Sequence, residues 1–68
     1  MWTTWWFGIT NEYSDLCGEE FFVEVDVPLN DAKALAKQIA KENFPNEDIT
    51  CFGRVSATEA EMMGLDTY

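Results

Sequence analysis

Sixty-eight residues carry thirteen carboxylates against four Lys and Arg, a formal charge of −9, with no histidine and two cysteines. Such a field repels phosphate backbones and anionic lipid, so direct nucleic-acid binding and membrane association are not expected. Two cysteines make no disulfide framework, while 47% hydrophobic and 15% aromatic residues argue for a folded single domain over residues 1–68.

The chain opens on Trp2 to Thr10, rich in aromatic and β-branched residues and free of charge, which predicts a strand. This apolar start has no basic flank and no small-residue cleavage site. It is also well short of the ~20 apolar residues that span a bilayer. A cytoplasmic location is expected. Asn11 to Gly18 mixes Asn, Ser, Asp and Gly with charge, as a hairpin connection does.

Glu20 to Val27 alternates clearly. Phe21, Val23, Val25 and Val27 fall on one side, and Glu20, Glu24 and Asp26 on the other. Phe22 shares the acidic side. A period of two means that one face packs on a core and the other meets water. Pro28 stops the strand.

Ala32, Leu35, Ala36, Ile39 and Ala40 then repeat at the spacing of a helix with one buried face. The expected helix runs from 31 to 43. Asn30 or Asp31 is placed to cap it, and Leu29 to pack back as a hydrophobic staple. Lys33, Lys37 and Lys41 form its exposed stripe, and Phe44-Pro45 ends it. Residues 31–43 sum to +1, which leaves −10 for everything else.

Ile49, Cys51, Gly53 and Val55 alternate with Thr50, Phe52 and Arg54 as a third strand. Ser56-Ala57-Thr58-Glu59 matches a capping box, and Gly64 a stop, for a short helical turn over Thr58 to Met63.

The expected fold is α+β, with three antiparallel strands, a ββαβ element order and one helix packed on one face. The second and third strands become parallel neighbours of a central first strand, because a crossover through a helix joins them. The uncharged first strand suits the middle. The acidic second strand suits an edge, where charge discourages pairing with other chains. The spatial order is 2-1-3, with the helix across Trp5, Phe7, Ile9, Val23, Val25 and Ile49.

The opposite sheet face then shows Trp2, Trp6, Phe22 and Phe52, ringed by Glu20, Glu24, Asp26 and Arg54. Aromatic groups on an open sheet also stack single-stranded RNA, but those surfaces are basic and this one is acidic. Met62, Met63, Leu65 and Tyr68 in the tail, or a second copy forming a homodimer through this face, are expected to cover it.

Catalytic, cofactor and metal sites are not expected. A reactive thiol needs a base or positive charge beside it, and there is no histidine. The sheet order holds Cys17 and Cys51 too far apart to bridge, so both should be free. No carboxylate spacing suits calcium, and no glycine-rich segment suits phosphate. The expected function is a non-enzymatic protein–protein interaction module. Its partner has a basic surface, and Trp6, Phe22, Phe52, Glu20, Glu24 and Asp26 contact it. The alternatives are a nucleic-acid-mimicking inhibitor of a DNA- or RNA-binding protein and, more remotely, a thiol enzyme using Cys17.

Overall fold

A computed structural model describes residues 1–68. In chain order it contains β1 (Trp2–Ile9), β2 (Glu20–Asp26), α1 (Leu29–Asn43), β3 (Ile49–Val55) and α2 (Ala57–Met63). The sheet has the order β2-β1-β3, and both contacts are antiparallel. The uncharged β1 is central, with both its edges paired. Its alternation puts Trp5, Phe7 and Ile9 on the side of α1, with Phe21, Val23 and Val25 of β2 beside them.

α1 closes this core with Ala32, Ala36 and Ala40, all buried, while Leu35 and Ile39 are half-buried at its flanks. Three alanines in one row let the helix backbone approach the aromatic rings closely. The helix starts two residues before the expected position, with Pro28 as its N-cap and no side-chain cap bond. Asn30 and Asp31 therefore lie inside the first turn, where Asp31 complements the helix dipole instead of capping. Leu29 is 45% exposed and does not act as a staple. Phe44 ends the helix, its N–H donating to the Ala40 carbonyl at 3.0 Å.

Two features depart from simple alternation. A register shift between Trp6 and Phe7 marks a bulge in β3 at Phe52 and Gly53. Phe7 pairs with Cys51, but Trp6 pairs with Gly53, Trp5 with Arg54 and Thr4 with Val55. The bulge thus moves Gly53 and Val55 to the outer row and takes Arg54 out of it. The expected placement of Arg54 on the rim of the outer face is corrected accordingly. Gly53 has φ 139°, a conformation that side chains rarely adopt, which is why glycine serves at this kink.

The second feature is the tail. Thr67 forms a parallel bridge with Phe22 on the outer edge of β2. Phe22 N–H donates to the Asp66 carbonyl at 2.8 Å, Tyr68 N–H to the Phe22 carbonyl at 2.9 Å, and Glu24 N–H to the Tyr68 carbonyl at 3.0 Å. The β2 edge is therefore closed by backbone pairing and not only by its acids. Gly64, left-handed at φ 63°, turns the chain out of α2 toward this edge. The Tyr68 ring meets Phe21 and Phe44 edge-on at 5.5 and 5.6 Å, sealing the helix-side core at that end.

Candidate functional site

The outer face is built in cross-strand rows. Trp2 faces Asp26, Thr4 faces Glu24, Trp6 faces Phe22, and Gly8 faces Glu20. Because β1 supplies no charged side chain, each carboxylate of β2 has an aromatic or small residue as its cross-strand partner. The Trp6 indole N–H donates to Glu20 Oε1 at 2.8 Å, which ties the ring to the acidic row. Thr4 Oγ1 reaches Glu24 Oε1 at 3.4 Å. The α-amino group of Met1 lies 2.6 Å from Asp26 and forms the one salt bridge of the molecule. Lys33, Lys37 and Lys41 all stand exposed on α1. The three carboxylates of β2 thus lie on the outer face, and the three lysines lie on α1 behind the sheet.

Phe52, carried on the bulge, meets Trp6 edge-on, with ring centroids 5.0 Å apart. Its ring lies over Gly8, where any Cβ would collide with it. Trp6, Phe52, Glu20, Glu24 and Asp26 are therefore assembled on one surface, as expected from the alternation. Phe22 is different. It lies on the same face yet is 1% exposed and outside the helix-side core. Its main chain is bonded to Asp66 and Tyr68, so the tail that follows α2 lies against it. Phe22 is a structural residue and no longer an available anchor.

The aromatic surface left open is that of Trp2, 69% exposed, and Phe52, 48% exposed, with Trp6 half-buried between the rows. Trp2 also borders a cleft of about 490 Å³ where the start of β1, the end of β3 and the start of α2 meet. Glu24 and Arg54 line the same cleft. Trp2 thus joins Trp6 and Phe52 on the exposed outer surface, and its place on the outer row of β1 was the signal for it.

Elsewhere chemistry is sparse. No group of three or more His, Cys, Asp and Glu side chains is placed to hold a metal ion. Cys17 is exposed in the β1–β2 loop, Cys51 is half-buried beside the core, and both are free. No helix is long and apolar enough to cross a membrane. Comparison with protein-family models, curated proteins and solved structures finds no match for this chain.

Proposed function

We propose that this chain is a non-enzymatic interaction module that docks a protein partner with a basic surface through its outer sheet face. One observation carries the reading. Trp2 and Phe52 stay 69% and 48% exposed although the tail is long enough to bury Phe22 beside them. A domain this small gains stability from every buried aromatic ring, so leaving two open beside an acidic row favours a surface kept for association. Trp2, Trp6 and Phe52 serve as apolar anchors. Glu20, Glu24 and Asp26 steer a basic partner and set its orientation. The working location is the cytoplasm, where Cys17 and Cys51 stay reduced.

Docking is favoured over mimicry of nucleic acid by the arrangement of the acids. A duplex mimic needs two tracks of negative charge. Here the sheet carries a single row on β2, interrupted by Phe22, and neither β1 nor β3 contributes a carboxylate.

The test is affinity capture from source-cell lysate with three baits: the natural chain, Trp2→Ser with Phe52→Ser, and Glu20→Gln with Glu24→Gln and Asp26→Asn. The reading expects a basic protein held by the natural chain at low salt and lost with either variant or at high salt. Equal capture by all three baits would refute it. A captured protein released by competing DNA or RNA would place mimicry first.

A further inference from the structure

The sheet has one edge that nothing in the chain covers. The tail closes β2, while α1 lies mainly over β2 and β1 and reaches β3 least. No residue of β3 is buried, whereas Phe21, Phe22, Val23 and Val25 of β2 are. The hydrogen-bonding direction along β3 follows from one contact. Thr10 N–H donates to the Asp48 carbonyl at 2.9 Å, which makes Ile9 and Ile49 a non-hydrogen-bonded pair and Gly8 and Thr50 a hydrogen-bonded one. Carried through the bulge, the alternation turns the N–H and C=O of Ile49, Cys51 and Arg54 away from β1. No turn or cap bond takes these groups up.

We propose that two copies of this chain associate through β3, antiparallel about a two-fold axis at Cys51, to form one continuous sheet. Three features of the edge select a second copy as the occupant. First, the bulge makes the outward groups symmetric. Ile49 and Arg54 are equivalent steps either side of Cys51, because Phe52 and Gly53 together oppose Trp6. Ile49 then meets the partner's Arg54, Cys51 meets the partner's Cys51, and every outward N–H and C=O is satisfied. Second, β3 is free of carboxylates in a chain of charge −9, so the pairing sets no acids face to face. Third, Arg54 makes no salt bridge within its own chain, and this register brings it to the end of β3 where the partner's Glu47 and Asp48 lie. The half-buried Ile49 and Cys51 side chains are covered in the same step.

The two copies each carry −9, so their long-range repulsion opposes association and salt should strengthen it. That sign is opposite to the one expected for a basic partner, which separates this proposal from the docking reading. Hydrogen-bonded antiparallel neighbours hold their Cα atoms about 5.5 Å apart, within disulfide reach.

The experiment uses the full chain carrying Cys17→Ser. Sedimentation equilibrium over a concentration series should show the mass rising from 7.8 kDa toward twice that value, more readily at high salt. Mild oxidation with diamide, which takes up two electrons and two protons as the S–S bond forms, should link Cys51 to the partner's Cys51. Arg54→Glu, at an exposed position, should weaken association roughly tenfold and leave the monomer folded. Ile49→Pro removes an outward N–H without touching the β1 ladder and should abolish the dimer. A monomer at every concentration and salt would overturn the proposal. So would a dimer that gives no Cys51 cross-link, or one lost with Trp2→Ser and Phe52→Ser but kept with Ile49→Pro. Strand addition by a different protein at β3, with no self-association, would likewise overturn it.

Discussion

The ring of Phe52 occupies the space that a side chain on Gly8 would need. The contact crosses from β3 to β1, and it holds the ring against Trp6 at the centre of the outer face. Gly8→Ala should swing Phe52 away. The lost edge-to-face pair, worth about 0.5–1.5 kcal/mol, is offset by the strand's gain of about 0.5–1 kcal/mol on replacing glycine. Stability should therefore change by less than about 1 kcal/mol. Partner affinity should fall, and the tryptophan emission should shift. Denaturant melts and fluorescence of the same variant check both halves.

Phe22 and Phe52 share a face and differ in role. Phe22→Ala opens a cavity beneath the tail and should cost about 3–5 kcal/mol, a large share of what so small a domain possesses. Phe52→Ala leaves a half-exposed site and should cost less than about 1.5 kcal/mol while weakening binding. Chemical denaturation of the two variants, side by side, measures the difference.

Removing residues 65–68 takes away three backbone hydrogen bonds on the β2 edge and the ring contacts of Tyr68 with Phe21 and Phe44. The expected loss is on the order of 3 kcal/mol. Each kcal/mol lowers the Tm of a domain this size by roughly 4–8 °C. Dye binding to apolar surface should rise as Phe22 is uncovered. An unchanged melt would mean that the tail pairing contributes nothing.

Ser56 Oγ accepts from Glu59 N–H at 3.1 Å and lies 3.2 Å from Glu59 Oε1. Ser56→Ala should weaken α2 by about 1 kcal/mol. α2 buries none of its own residues, so the effect should appear as faster amide exchange over 57–64 and barely in the global melt.

Most of this architecture can be read from residue patterns. The absence of charge in β1 marks it as the central strand, and the alanine-centred repeat of α1 identifies its buried face. Trp6, Glu20 and Glu24 could be assigned to one surface because a period of two admits no other reading. The misplaced features have specific physical causes. A bulge inserts one residue into the count, and its sole trace in β3 is Gly53, which alternation alone absorbs without complaint. The tail binds the β2 edge through main-chain groups of Asp66, Thr67 and Tyr68, and main-chain pairing leaves no mark in side-chain pattern. Pro28 starts α1 early because it lacks an N–H, which the first turn does not require.

The docking account rests on the acidic row steering a basic partner and the aromatic rings holding it. The most direct measurement is the association rate of the captured partner with the natural chain and with the Glu20→Gln, Glu24→Gln, Asp26→Asn variant, over a range of salt. The natural chain should associate more slowly as salt screens fields beyond roughly 8–10 Å. The variant should start slower and respond less to salt, with its dissociation rate little altered. Association rates that coincide for the two chains and ignore salt would contradict the account.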